Sequence, residues 1–338
     1  QKITSVNLIK EQDKINLSLI IPAYNNSFQL DKLLDSIFDQ IISNIEIIII
    51  DDGSKNPIRS KYDNKIVKIF RTENMGPSHA RNYGSNKAIG EYLLFLDSDL
   101  IFPDGMLKKI YDFSVKNKYE VVSIFYSRES ANNGIAQKFK ASFDYYNNVY
   151  NQKDGYILSF QGSSCLFKKE VFIKTDGWSA DFKLASLENE EFASRIIKNN
   201  VRIYFTKDLY LKHTFPNFYN LLRVIFIRSM IWIQLKIKKE VKYDNLVRTP
   251  YKGFFAALSL PVSIMLILII VDSVFVYFFI MILIAYLLSN VGFYRYLYRN
   301  NSIINFLTNI LIMFAFHLTV TIGAISGLII NRFHKVKK

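Results

Sequence analysis

Leu93-Leu94-Phe95-Leu96-Asp97-Ser98-Asp99 is the stretch on which the reading of this chain turns, an apolar run that ends in two carboxylates one residue apart. Such a run is the signature of a strand buried on both faces of a parallel sheet, and parallel sheets bind their ligands at the carboxyl ends of the strands. Asp97 and Asp99 therefore stand where a ligand would sit. On extended backbone entering a turn they offer hard oxygen donors to Mg²⁺ or Mn²⁺, and such an ion bridges a diphosphate. A plain acidic strand-to-loop turn would use the same residues, so the flanking segments decide.

Upstream, Leu17-Ser18-Leu19-Ile20-Ile21 predicts a short strand stopped by Pro22, and residues 30–41 have helical periodicity with Asp31 and Asp35 on the outer face. A second strand over 45–50 ends in Asp51-Asp52-Gly53-Ser54. A third covers 66–70, a helix over 76–89 follows the turn Asn74-Met75-Gly76, and after Asp99 comes a helix over 104–116. Strand and helix in alternation imply right-handed βαβ units and a doubly wound α/β sheet with a nucleotide in its crevice. Neither GxGxxG after the first strand nor GxxxxGK[ST] occurs, which argues against a dehydrogenase or a P-loop enzyme. The strand ends are acidic instead, so a diphosphate there needs a metal or a base to hold it. The helix opening Pro77-Ser78-His79-Ala80-Arg81 offers its N-terminus and Arg81 to an anion. Asp51 offers acceptors to a nucleobase N–H or a ribose hydroxyl.

The chain has 338 residues, 50% of them hydrophobic, with a formal net charge of +14 and one cysteine. The apolar excess collects at the C-terminus, where residues 254–290 and 303–330 carry almost no charge and read as membrane spans. A single Cys165 excludes an intramolecular disulfide framework, so the large domain is free to be cytoplasmic. Residues 1–16 lack the apolar core of a signal peptide and read as a leader.

Four segments carry a family resemblance: Ser18 through Asn25, Ile49-Ile50-Asp51-Asp52-Gly53-Ser54, Asn74 through Gly84, and Leu96-Asp97-Ser98-Asp99. In this order they resemble the successive motifs of inverting family 2 glycosyltransferases with a GT-A fold, over residues 17–213. The resemblance implies a nucleotide-sugar donor, with a UDP-sugar first among candidates, held by Pro22, Ala23, Tyr24, Asp51, Asp52, Arg81, Asp97 and Ser98. It implies Mn²⁺ or Mg²⁺ on Asp97 and Asp99, with His213 in Leu211-Lys212-His213-Thr214 as a further ligand. The stretch Glu188-Asn189-Glu190-Glu191-Phe192 resembles the family's base-bearing motif, with Asn189 where the family has Asp. An amide is no general base at neutral pH, so Glu188 becomes the first candidate and Glu191 the second. An acceptor oxygen that is already ionised, as in a phosphate, would need no base. Equally, Asn189 can be an ordinary N-cap. Gly162 in Gln161-Gly162-Ser163-Ser164 and Trp178 in Asp176-Gly177-Trp178 resemble the acceptor-site strand and loop, Trp178 either stacking on a sugar or plugging the core.

The aromatic stretch 136–156 is expected to form a helix covering the acceptor side. Residues 217–239 mix Phe218, Leu222, Ile225, Phe226 and Trp232 with Arg223, Arg228, Lys236 and Lys238, the pattern of a helix lying on a bilayer surface. Cations from Lys236 through Lys252 precede the first apolar run and place the catalytic domain in the cytoplasm. Residues 254–290 would make a helix of roughly 55 Å against a hydrocarbon core of about 30 Å, so a break at Asp272-Ser273 is expected. With residues 303–330 this gives two or three spans. Gly323-x-x-x-Gly327 can pack helix on helix.

The expected organisation is a leader (1–16), a GT-A catalytic domain with a Rossmann-like mixed sheet (17–215), an amphipathic interfacial helix and basic linker (216–252), and a transmembrane region with a basic tail (253–338). The expected function is a cell-membrane, metal-dependent inverting glycosyltransferase of envelope polysaccharide synthesis, acting on a polyprenyl phosphate or lipid-linked saccharide. A polysaccharide-extending transferase and a non-catalytic nucleotide-sugar-binding membrane protein are the alternatives. Nucleic acid is not an expected partner, because the charge lies beside the apolar runs and not across a groove.

Overall fold

The apolar run before Asp97 is a strand, Tyr92–Leu96, with every residue buried. The structure, a computed structural model, describes residues 15–62, 65–179, 188–237 and 256–336. The leader over 1–14, the basic linker from 238 on, and Lys337 and Lys338 lie outside the described residues. The chain divides into two units, one comprising residues up to Ile124 with Gly155–Leu209, the other Phe125–Asp154 and Tyr210 onward.

In the first unit the order is β1 (Leu17–Ala23), α1 (Ser27–Phe38), β2 (Ile45–Asp51), β3 (Val67–Arg71), α2 (Pro77–Lys87), β4 (Tyr92–Leu96), β5 (Leu100–Ile101), α3 (Met106–Asn117) and β6 (Val121–Tyr126). After an excursion into the second unit, where α4 (Ile135–Tyr145) lies, come β7 (Gly155–Ile157), β8 (Ser164–Lys168), α5 (Lys169–Lys174), α6 (Glu188–Lys198) and β9 (Ile203–His213). One sheet takes the strands in the order β3-β2-β1-β4-β8-β6-β9-β5, with β7 on β9. β3, β2, β1 and β4 run parallel, and β8 enters antiparallel beside β4 and beside β6. The sheet is thus mixed, with four parallel strands followed by β8 running against both its neighbours and β7 against β9.

Two local expectations need correction. β1 does not stop at Pro22 but continues to Ala23, with Pro22 opposite Ile50. The reason is register. Asp52 N donates to Ala23 O, so residue 23 faces β2 and residue 22 faces β4, where pairing has already ended at Ile20–Phe95. The missing proline N–H falls where no partner strand waits for it. The first helix spans Ser27–Phe38, three residues earlier than the periodicity of 30–41 places it. Leu30, Leu33, Leu34 and Ile37 form its buried stripe at helical spacing. α2 seats closely on the sheet because Gly84 has no side chain, and a Cβ there would lie 2.5 Å from Ile20 Cγ2.

The second unit is helical. α4 runs on into a π-helical turn, Tyr146–Tyr150, and is joined by α7 (Phe218–Ile237), α8 (Ser259–Leu268), α9 (Phe275–Ser289), α10 (Val291–Asn300) and α11 (Ile303–Val336). Its core gathers Phe139, Leu221, Ile225, Phe293, Leu297, Met313 and Phe316, so the aromatic face of α4 is spent on α7, α10 and α11. This accounts for Phe139, Phe143 and Tyr146, which the sequence reading assigns to an acceptor-side cover. α7 and α11 pack as parallel neighbours. Gly323 meets Phe226 and Ser229, and Gly327, one turn on, meets Met230 and Ile233. A Cβ on Gly323 would lie 2.6 Å from Phe226 O, and one on Gly327 2.5 Å from Met230 O, so the two glycines let the backbones touch. Gly323→Ala is expected to push the helices apart and cost about 1–3 kcal/mol. A detergent-phase melting curve that matches wild type would refute that packing.

The break expected at Asp272-Ser273 falls between α8 and α9, where Asp272 Oδ1 accepts Val274 N at 2.9 Å. One described helix, over Ile303–Ile330, is long and apolar enough to cross a membrane. The pair Phe275–Ser289 and Val291–Asn300, bent by 67°, passes the same test only if taken together. α8, with 10 residues, is about 15 Å long, half the hydrocarbon thickness. On α7, Arg223, Val224, Ile227 and Arg228 are exposed together with Tyr219 and Trp232.

Candidate active site

Because β2, β1 and β4 are neighbours and parallel, their carboxyl-terminal loops meet at one edge. Asn25 N donates to Ser54 Oγ at 3.0 Å and Asn25 Oδ1 accepts Lys55 N at 2.8 Å, tying the β1 loop to the β2 loop. Asn26 Nδ2 donates to Ser98 Oγ, tying it to the β4 loop. Pro22 and Ala23 are buried beneath, whereas Tyr24 is 49% exposed and presents a ring at the rim.

Asp51 and Asp52 are buried and engaged by the protein itself. Asp51 Oδ1 accepts Ser54 N at 2.8 Å, and Oδ2 accepts Ile58 N at 3.2 Å and Arg71 Nη1 at 2.6 Å. Burial alone would raise its pKa, but the bonds from Ser54 and Ile58 and the Arg71 charge hold it below the ordinary carboxylate value. Asp52 receives Met75 N at 3.0 Å and Gly76 N at 2.9 Å, fixing the turn that starts α2. Pro77 then occupies the first helical position, where its missing N–H costs nothing. Both carboxylates, expected to face a donor, thus also organise the loops that would surround one.

The carboxylate pair after β4 has a cation built beneath it. Arg81, buried in α2, gives Nη2 to Asp97 Oδ1 at 2.6 Å. Burial works against its charge, but Asp97 more than offsets that and holds the guanidinium above its usual value. Asp99 behaves oppositely, its carboxyl pushed up to about 7 by burial first and by the Asp97 charge second. A desolvated carboxyl beside a like charge is stabilised by a divalent cation, so Asp97 and Asp99 fit one as a two-carboxylate donor set. Among the described residues no group of three His, Cys, Asp or Glu side chains forms a metal cage. Two carboxylates completed by water and substrate phosphate is the manner of Mg²⁺. His213 lies in the second unit, its ring 4.5 Å from Tyr126 and 4.4 Å from Phe215.

Arg81 also stacks on Trp178, 5.1 Å from the ring centroid. Trp178 is 1% exposed, enclosed by Phe95, Phe160, Phe167, Phe172 and Phe192, so its faces belong to the core and not to a sugar. Asn82 grips its backbone, donating to Trp178 O at 2.7 Å and accepting Trp178 N at 3.0 Å. The indole Nε1 donates to Asn189 Oδ1 at 3.0 Å. Asn189 thereby lies against Gly162, where a Cβ would sit 1.9 Å from its Oδ1. The next residue, Ser163, gives its carbonyl to Asp97 N at 2.8 Å. Gly162 and Asn189 are therefore beside the carboxylate pair. Gly162→Ala is expected to force the amide aside at a cost of about 1–3 kcal/mol. Unchanged thermal unfolding would rule out this close approach.

On α6, Glu191 is bound to Arg195 through both oxygens, at 2.6 and 2.9 Å, and Arg195 also holds Gly177 O at 2.6 Å. Both Glu191 oxygens are thus committed to a charge-assisted fork within the helix. Glu188 is 4% exposed, and Asn189 Nδ2 approaches its Oε1 at 3.5 Å. Burial, and then Glu188, push the Glu190 carboxyl above its ordinary value. Burial pushes the Cys165 thiol up, which makes it inert core. Sequence reasoning missed Arg71, Asn26, Asn82 and Arg195. For Asn82 a signal existed, since it follows Arg81 inside a quoted motif. For Arg195 too there was a signal, its i,i+4 spacing from Glu191, whereas Arg71 is found only by its partner 20 residues away.

A family model described as glycosyl transferase family 2 matches residues 18–175. An uncharacterized glycosyltransferase of Haemophilus influenzae is 40% identical over 30% of this chain and 43% of its own length. A cholesterol galactosyltransferase of Borreliella burgdorferi is 30% identical over 61% of this chain and 58% of its own. The chain thus spans about half the length of these curated relatives. Among solved structures, a mannosyltransferase from Pyrobaculum calidifontis in complex with GDP-Man and Mn²⁺ aligns over 95% of this chain and 88% of its own, with a TM-score of 0.50 and 15% identity.

Proposed function

We propose, from the premise that residues 18–175 are a glycosyltransferase family 2 domain, that this chain transfers a sugar from a nucleotide-diphosphate donor to an acceptor at a membrane, with inversion. One observation carries the reading: the Asp97–Asp99 pair at the carboxyl end of β4, backed by the buried Arg81. A divalent cation held by the two carboxylates would neutralise the diphosphate leaving group. The chain's own residues do the rest. Tyr24 at the rim offers its ring to a base, while Pro22 and Ala23 form the floor. Asp51, Asp52 and Ser98 hold the surrounding loops in shape through bonds to Ser54, Gly76 and Asn26. Preformed loops mean that donor binding need not order them.

The membrane acceptor, a polyprenyl phosphate or lipid-linked saccharide, is supported by the apolar helix over Ile303–Ile330 and by the exposed aromatic and basic residues of α7. In this reading the helix anchors the protein and the catalytic domain faces the cytoplasm. The test is transfer of radiolabel from UDP-, GDP- and dTDP-sugars, with Mn²⁺ or Mg²⁺, into organic and aqueous fractions of membranes carrying the protein. Label in the organic fraction is the expected result. Label only in aqueous polymer would favour a polysaccharide-extending enzyme, and donor binding without transfer a non-catalytic protein.

A further inference from the structure

We infer that Arg71, and not the acidic Asp51 beside it, reads the nucleobase of the donor and admits bases with a carbonyl at the end away from the ribose; this rests on the nucleotide-sugar reading above. The last residues of β1, β2 and β3 stand in register, Ala23 opposite Asp51 and Asp51 opposite Arg71. Side chains in register share one face of a sheet, so the three form a row. Two strand spacings, about 10 Å, separate its ends. The strand order β3-β2-β1-β4 then orients a bound nucleotide. Its diphosphate belongs over the Asp97–Asp99 pair after β4, on one side of β1. A base lying on the exposed ring of Tyr24, which follows β1, therefore points its far end the other way, toward the ends of β2 and β3.

Of the pair that stands there, Arg71 is the member that reaches solvent. Asp51 is 1% exposed, and its oxygens accept Ser54 N, Ile58 N and Arg71 Nη1. The Arg71 side chain is 44% exposed. It gives one hydrogen of Nη1 to Asp51 Oδ2 and one of Nη2 to Ser54 O, both at 2.6 Å, and each nitrogen carries a second hydrogen besides Nε–H. Those two bonds fix the plane of the guanidinium. Ser54 Oγ in turn accepts Asn25 N, next to Tyr24, so the stacking ring and the arginine belong to one framework. A guanidinium offers donors and no acceptor. Uracil and thymine carry a carbonyl at position 4 and guanine at position 6, whereas cytosine and adenine carry an amino group there. An amino group facing Arg71 sets donor against donor, and the Asp51 carboxylate is sealed away from it.

The experiment measures Kd of UDP, CDP, GDP and ADP for the full chain in detergent with Mn²⁺, and compares UDP with CDP and GDP with ADP. For the ring size that binds more tightly, the carbonyl base is expected to win by about tenfold, the worth of one hydrogen bond to a charged group. Arg71→Met is expected to bring that ratio below about threefold, chiefly by weakening the carbonyl base. A merely loosened fold would weaken both members of a pair alike and leave their ratio unchanged. Arg71→Lys keeps a cation on Asp51 without the fork, so it should melt like wild type and still lose discrimination. Equal binding of both members by the wild type would overturn the inference, as would a ratio that neither variant changes. A ratio that rises in Arg71→Met would do so too, because the uncovered Asp51 would then be the reader, accepting a base N–H. Binding of no nucleotide at all would instead overturn the nucleotide-sugar reading beneath it.

Discussion

Asp99→Ala is expected to lower sugar transfer by about a thousandfold while leaving the fold at least as stable as wild type. Charge stabilisation of a leaving group by a bound divalent ion supplies several kcal/mol, and roughly 4 kcal/mol corresponds to that factor. The stability side follows from the site's electrostatics. The Asp99 carboxyl is held at about 7 by burial and by Asp97, so the folded protein gains nothing from keeping it charged. Removing it relieves Asp97 of a like-charged neighbour. Function and stability therefore move apart, as at sites where strain is retained for chemistry. The check pairs a transfer assay with a melting curve on the same preparation. Near-normal transfer at saturating Mn²⁺ would show that Asp99 does not serve the leaving group.

Arg81→Met is expected to act in the opposite sense, lowering stability by about 3 kcal/mol and the melting temperature by about 6–12 °C. Arg81 is buried and pairs with Asp97 at 2.6 Å, while Asp97 is 36% exposed. Breaking such a pair from one side leaves a charge without its partner, although the exposed part of Asp97 regains water and keeps the cost at the lower end. The stack on Trp178 is lost as well. Asp97→Asn alone strands the arginine instead. The double variant Arg81→Met/Asp97→Asn should recover part of the loss, because neither charge remains. Additive melting shifts in this cycle would show that the pair is not coupled.

How much was legible differs by residue. The strands of the parallel half were readable because a strand buried on both faces is an unbroken apolar run, and Ile47, Ile48, Ile49 and Ile50 are all fully buried. The acidic strand ends and Arg81 were readable as a set because ligand sites collect at those ends. The state of each carboxylate was not. Asp51 looked like a free acceptor for a nucleotide, yet its oxygens are taken by Ser54, Ile58 and Arg71, the last 20 residues away. Trp178 looked equally like a stacking platform or a plug, and only its five aromatic neighbours decide for the plug.

By itself the sequence determined that β1, β2 and β4 would be buried strands, that Asp97 and Asp99 would follow the last of them, and that the C-terminal region would hold an apolar helix. These follow from residue order and periodicity, which are local properties of the chain. Tertiary structure alone decided that Pro22 stays in its strand, that the aromatic face of α4 is spent on other helices, and that the Asn189 oxygen accepts the Trp178 indole N–H while its amino group turns to Glu188. Each depends on which partner meets a group across tens or hundreds of residues. A buried hydrogen bond or a glycine contact exists only once register and packing are set.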